Sequence, residues 1–368
     1  MALKPRLTIL ALALAVTGIS LLTGDLPNRE ARGETPSAAA TRASFLKMLD
    51  RPKVPADAQS EGATLDPATG LLVERLTFAS EKKAGGAIER VPVLIVKSQK
   101  LNGKAPAVIA LHGTGGSADG MRSTLDDFAR RGFVAVAIDA RYHGRRKNAS
   151  TGAAAYVEAI TQAWRSKTPE TQEHPFYFDT CWDLWRTLDV LETRPDIDPK
   201  RIGMLGISMG GIETWLAASV DERVAVAVPA ISVQSFRWSL ENGQWGGRAA
   251  TIKGAHEAAA KDLGHEKVDA DICRALWSKV IPGILDPYDC PQMLPLFVNR
   301  PLLIVNGEND PNCPIEGTKV AFKAAEAAYQ AAGAGDRLKI SVAPGVAHAV
   351  TDSQRAAIFE WFERWLKP

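Results

Sequence analysis

Cysteine is scarce in this sequence. Its 368 residues hold four, Cys181, Cys273, Cys290 and Cys313, too few and too scattered for a disulfide framework or a zinc ribbon. Four free thiols in or near the core are expected, with Cys290 and Cys313 as the pair to test if one bridge forms in an oxidising compartment. An excess of charge of either sign is missing too. The 44 basic side chains nearly balance 42 acidic ones, for a formal net charge of +2, so nothing marks a nucleic-acid partner. There is no block of like charges and no long-period repeat. What is present is 46% hydrophobic and 23% charged residues, the composition of a soluble globular protein with a sizeable core.

The N-terminus differs from the rest. Lys4 and Arg6 precede LTILALALAVTGISLLTG, Leu7 to Gly24. A basic start before an apolar run reads as an export signal. Its length also sits at the lower edge of what spans a bilayer, so a retained segment would act as a membrane anchor. Residues 1–24 are assigned this role, and the protein is expected to be exported, periplasmic or secreted. Residues 25–62 are rich in Ala, Pro, Arg and Glu and read as a partly disordered linker carrying one short helix, TRASFLKMLD.

From residue 63 to 368 the pattern is that of one α/β domain. LLVERLTFA and AIERVPVLIVK suggest an opening antiparallel pair. APAVIALHG, GFVAVAIDA, RIGMLG, VAVAVPA, RPLLIVNG and LKISVAPG follow as short apolar runs ending in turn residues, as expected of parallel strands buried on both faces. Helical patterns lie between them, the first with Ser117 as candidate N-cap and Gly132 as stop. The expectation is a mostly parallel, eight-stranded sheet with helices on both faces and loops gathered at the strands' carboxyl edge. One connection, residues 231–300, is too long for an ordinary loop. It is read as a helical insertion or cap, with Trp238, Trp245 and Trp277 as its core.

The chemistry is carried by DPKRIGMLGISMGGIETWLAA, Asp198 to Ala218. An apolar strand runs into Gly206-Ile207-Ser208-Met209-Gly210 and then into a helix. Such a corner projects the serine oxygen at the strand's end, where an adjacent base can activate it. The amide of Met209, at the helix N-terminus, is placed to receive a developing negative charge. In this corner's usual order an acid and then a histidine follow. Asp310, in VNGENDPNCP, is the candidate acid, with Glu308 as competitor. His348, in APGVAHAV, is the only histidine beyond it and the candidate base, held in the productive tautomer by Asp310. The glycine-rich HGTGGS, His112 to Ser117, lacks the Lys-Ser/Thr ending of a nucleotide loop. It is read instead as supplying the second oxyanion donor, the amide of Thr114, with Gly115 as the alternative. His112 is expected to brace that loop. Arg141 and His143, in DARYHG, are expected to pair with loop carbonyls or carboxylates, and no carboxylate cluster accompanies the two histidines to suggest a metal.

HGTGG, DARYHG, GISMGG, NGENDPNCP and GVAHAV, in this order on these strands, resemble the α/β-hydrolase superfamily. Within it the chain is similar to the dienelactone-hydrolase, acetyl-xylan-esterase and prolyl-oligopeptidase-like branch. The resemblance implies a Ser208, Asp310, His348 triad that hydrolyses carboxylic esters through an acyl-enzyme, with no metal or organic cofactor. Departures are specific: dienelactone hydrolases usually carry cysteine at the position of Ser208, and these acetyl xylan esterases glutamine at that of Met209. There is also no room for a propeller domain before Leu71. The expected partner is a small-molecule or carbohydrate ester; a membrane enters only if residues 1–24 are retained. A prolyl-oligopeptidase-like peptidase, a xylan acetyl esterase and a non-catalytic binding module are the alternatives.

Overall fold

The computed structural model describes residues 37–147, 149–168 and 172–367. The candidate export signal and the first part of the expected linker lie outside them. Nine strands form one sheet: β1 (Gln59–Asp66), β2 (Leu71–Lys82), β3 (Ile88–Ser98), β4 (Ala105–Leu111), β5 (Val134–Ile138), β6 (Ile197–Ile207), β7 (Val224–Ala230), β8 (Leu302–Gly307) and β9 (Leu338–Ala343). Their order is β1-β2-β3-β5-β4-β6-β7-β8-β9. The first three strands join antiparallel, β3 pairs antiparallel with β5, and every pairing from β5 to β9 is parallel.

The eight expected strands are all present; the ninth, β1, corrects the count. Seven of its eight residues are exposed and the last is half-buried. No apolar alternation announces such a strand, and it exists because a turn at residues 67–70 folds it back along β2. The short helix expected in the linker segment is present as α1 (Ala38–Leu49). It buries Thr41, Phe45 and Leu49, spaced four apart on one face. The Phe45 ring meets those of Phe178, Trp185 and Tyr288 at 5.5, 6.2 and 5.0 Å, so this segment belongs to the core.

Central strands are apolar throughout. All of β4 and β5 is buried, because helices cover both faces. One face carries α2 (Arg122–Arg130) and α12 (Asp352–Leu366), whose Leu125, Phe128, Phe359 and Phe362 pack on Val108, Ala135 and Val226. The opposite face carries α4 (Phe178–Glu192) and α5 (Met209–Val220), and α11 (Ile315–Ala331) joins the same core. Ser117 accepts from the Gly120 amide at 3.1 Å and so caps a short turn ahead of α2 rather than α2 itself.

The long insertion is helical, as expected: α6 (Phe236–Glu241), α7 (Gly246–Ala250), α8 (Lys253–Asp262), α9 (Ala270–Val280) and α10 (Cys290–Met293). Helix α3 (Ala154–Arg165), from the β5–β6 connection, packs against α8 and α9. Trp277 is fully buried and donates to His256 at 3.0 Å, while Trp238 and Trp245 are half-buried. Among the described residues no helix is long and apolar enough to cross a membrane. All four cysteines are free and buried. Burial raises their thiol pKa values, to about 12 for Cys273 and Cys313.

Candidate active site

Strand β6 runs buried from Ile202 to Gly206, and α5 begins at Met209. Ser208 joins them at φ 56°, ψ −113°, a conformation costly for any residue with a Cβ. Its neighbours make the corner sterically feasible. A Cβ on Gly206 would lie 2.0 Å from the Gly210 carbonyl oxygen, and one on Gly210 would lie 2.6 Å from the Leu111 Cβ. The Ser208 amide donates to Ala230 at 2.9 Å, fixing the corner to the end of β7.

The other two side chains arrive on loops tied to each other. After β8, the Glu308 amide donates to Ala343 at 3.0 Å and the Asn309 amide to Val346 at 2.8 Å. Glu308, the competing acid, turns away: its carboxylate accepts from the Gly345 amide at 2.8 Å and braces the histidine loop. Asp310 is buried, and its Oδ1 accepts from the amides of Asn312 and Cys313 at 2.8 and 3.1 Å. Its Oδ2 lies 2.7 Å from His348 Nδ1, and His348 Nε2 lies 2.8 Å from Ser208 Oγ. Helix α12 starts just beyond, through a capping box between Thr351 and Gln354. Gln354 also donates to the Asn306 and Ser341 carbonyls at 3.0 and 3.2 Å, which pins the histidine loop to the ends of β8 and β9.

The amide of Met209 is the first of α5 and has no acceptor within the helix. Beside it, the Gly210 amide donates to the His112 carbonyl at 3.1 Å, bringing the loop that carries Thr114 against the corner. His112 holds that loop: Nδ1 lies 2.8 Å from the Gly113 oxygen, and Nε2 accepts from the Ala140 amide at 3.2 Å. Burial lowers its pKa, so the ring is neutral and Nδ1 is the donor. His143 pairs likewise with the Arg141 carbonyl at 2.8 Å, and burial brings its pKa down to about 3. The rings of His112 and His143 stand 5.2 Å apart. Asp139 links the same two loops by accepting from the Ala118 and Arg145 amides at 2.7 and 2.9 Å.

Two further features lie behind the site, the first of them meeting the expectation that Arg141 pairs with carboxylates. Buried Arg141 pairs with Asp183 at 2.7 Å and with Glu81 at 2.7 Å, and Arg146 reaches the same Asp183 at 2.8 Å. Burial opposes the Asp183 charge, yet the two guanidiniums and a Ser80 hydroxyl hold its pKa well below the usual carboxylate range. In the insertion, fully buried Arg248 donates to the Asn312 carbonyl at 3.0 Å and to Cys313 Sγ at 3.2 Å. It therefore grips the acid loop from behind. The only sequence signal for it is a lone arginine in the small-residue run GGRAA.

A cavity of about 340 Å³ adjoins His348, with Ile207, Ile231 and Val350 in its wall. A larger one, about 710 Å³, runs along α3 and is lined by none of the three side chains. Among the described residues no group of histidine, cysteine and carboxylate side chains is arranged to hold a metal.

The dienelactone hydrolase family model matches residues 91–240, and that of the fungal glucuronyl esterases matches residues 169–333. The Bacillus subtilis (strain 168) protein YtaP is 24% identical over 291 residues, 76% of this chain and 84% of the relative. The acetyl xylan esterase from Paenibacillus sp. R4 superposes with TM-score 0.63 at 19% identity, over 92% of this chain and 96% of the other. Acetyl xylan esterase 1 from Thermoanaerobacterium sp. JW/SL YS485 superposes with TM-score 0.63 at 14% identity, over 89% and 93%. With this sheet order and this strand-to-helix corner, the chain has the α/β-hydrolase fold, shared with these acetyl xylan esterases, and parts of its sequence are similar to the dienelactone hydrolase and fungal glucuronyl esterase families.

Proposed function

We propose that the protein is a serine hydrolase that cleaves carboxylic esters through an acyl-enzyme. The observation that carries this reading is the unbroken chain from Ser208 Oγ through His348 to Asp310, at 2.8 and 2.7 Å, on a strained corner. Ser208 Oγ attacks the ester carbonyl while His348 Nε2 takes its proton. Asp310 keeps the Nδ1 proton in place and stabilises the imidazolium. The amides of Met209 and Thr114 bind the oxyanion, where preorganised donors contribute most. His348 then protonates the departing alkoxide, and water repeats the sequence on the acyl-enzyme to release the acid.

A carbohydrate ester is the substrate reading that the comparisons favour, because the chain is similar to acetyl xylan esterases and to a glucuronyl esterase family. Assays of p-nitrophenyl acetate, acetylated xylo-oligosaccharides, a methyl glucuronate ester and a proline-containing peptide amide separate the choices. Ester turnover with no amide turnover is expected; amide cleavage at matching efficiency would transfer the protein to the peptidases. We also propose export, on Lys4, Arg6 and the apolar run to Gly24. Recovery of the protein solely from the cytoplasmic fraction would contradict it.

A further inference from the structure

We propose that the cavity beside His348 binds an aliphatic group of the ester, so that the enzyme prefers esters with an extended apolar chain. The inference rests on the serine hydrolase reading above. The cavity, about 340 Å³, includes the imidazole of His348 and the side chain of Ile207, immediately before Ser208. Ser208 itself does not line the cavity; the link to it runs through its chain neighbour Ile207 and through His348, 2.8 Å from its Oγ.

Its chemistry is one-sided. Leu205, Ile231, Val350 and Phe359 form the wall, and the polar side chains in it are His348, Thr124 and Arg355. Both His348 nitrogens are engaged by Asp310 and Ser208. The Arg355 guanidinium is held by Asp127 at 2.7 Å and lies 5.4 Å from the centre of the Phe359 ring. That leaves the Thr124 hydroxyl and the remaining N–H groups of Arg355 as the side-chain partners the wall can offer. A sugar ring buried here would leave several hydroxyls unpaired, each at a cost, whereas methylenes would lose nothing. The larger cavity along α3 is the opposite case, lined by Ser150, Glu158, Gln162, Gln172 and Glu173 and by none of the triad.

Backbone strain at the wall supports a built pocket. Ile231 sits at φ 47°, a region that β-branched residues avoid and that glycine would occupy without cost. Its amide donates to Val305 at 2.6 Å and its carbonyl accepts from the Cys313 thiol at 3.3 Å. Those bonds hold an isoleucine side chain in the cavity wall, where strain is tolerated when function gains from it.

The test uses the full chain and two substrate series. One varies the acyl group of p-nitrophenyl esters from acetyl to octanoyl; the other varies the alcohol of acetate esters from methyl to hexyl. The expected result is a rise in kcat/KM of roughly three- to four-fold per methylene along one series until the pocket is full. Which series rises identifies whether the acyl or the alcohol group enters. Thr124→Trp should lower the long-to-short ratio of kcat/KM at least ten-fold, and Ile231→Gly should move the optimum to longer chains. If Thr124→Trp does not fold, Ile231→Gly decides. Flat or falling profiles in both series, or variant ratios equal to wild type, overturn the pocket and leave the esterase reading standing. Absence of any Ser208-dependent hydrolysis overturns both.

Discussion

The amide of Gly210 donates to the carbonyl of His112 at 3.1 Å. This one bond joins the helix after Ser208 to the loop after β4, and so sets the spacing of the two candidate oxyanion donors, Met209 and Thr114. Gly210→Ala would place a methyl group 2.6 Å from the Leu111 Cβ and 2.7 Å from the His112 oxygen, forcing the two segments apart. The expected loss is about 100-fold in kcat with KM little changed, the scale of one lost oxyanion donor. Steady-state kinetics on p-nitrophenyl acetate, beside a circular dichroism melt, check it.

Asp310→Asn preserves shape and removes the carboxylate that fixes the His348 tautomer. An amide there can donate to Nδ1 and leave the proton on Nε2, facing Ser208 Oγ. A fall in kcat of roughly 10³–10⁴-fold is expected, as for other triads of this geometry. Glu308 cannot substitute, because its carboxylate is bound to the Gly345 amide on the far side of the loop. Glu308→Gln should keep most of the activity.

Arg248 holds the acid loop through the Asn312 carbonyl and the Cys313 sulfur. Arg248→Met keeps the buried volume and removes both contacts. The expected outcome is a ten- to hundred-fold drop in kcat at nearly constant KM, since small misplacements of catalytic groups cost about this much. Lysine, with a point charge in place of a fork, should restore little of it. A rise in KM without a change in kcat would show instead that Arg248 acts on substrate binding.

Asp183 is shared by the buried guanidiniums of Arg141 and Arg146. Its folded pKa is depressed, so its contribution to stability is present above the ordinary carboxylate pKa of about 3.9 and is lost as pH falls below it. Asp183→Asn leaves two buried cations short of a partner and should cost about 3–5 kcal/mol at pH 7. Urea unfolding of the two proteins from pH 7 to pH 3 checks both parts. The gap between them should narrow as the pH drops.

The sheet and the positions of Ser208, Asp310 and His348 at its edge were legible because their signals are local. Buried parallel strands such as β4 and β5 are unbroken apolar runs, and Ser208, Asp310 and His348 each follow a strand end in a fixed order. β1 was not legible, because an exposed edge strand is specified by the turn that pairs it and not by its own side chains. The docking of α1 escaped for a related reason: AAATRASFLKML carries Phe45, Leu46, Met48 and Leu49 close together, and nothing local says where they pack until the rings of Phe178 and Tyr288 receive Phe45. Arg248 and Asp183 are separated from their partners by 64 and 42 residues. No spacing rule reaches that far.

The account stands on Ser208 being a nucleophile activated by His348, and covalent labelling reads that property directly. Incubation with a fluorophosphonate, followed by digestion and mass spectrometry, should place one adduct on the peptide containing Ser208. The adduct should be lost in Ser208→Ala and should form far more slowly in His348→Ala. An unlabelled Ser208 in folded protein, or undiminished ester hydrolysis by Ser208→Ala, would contradict the account.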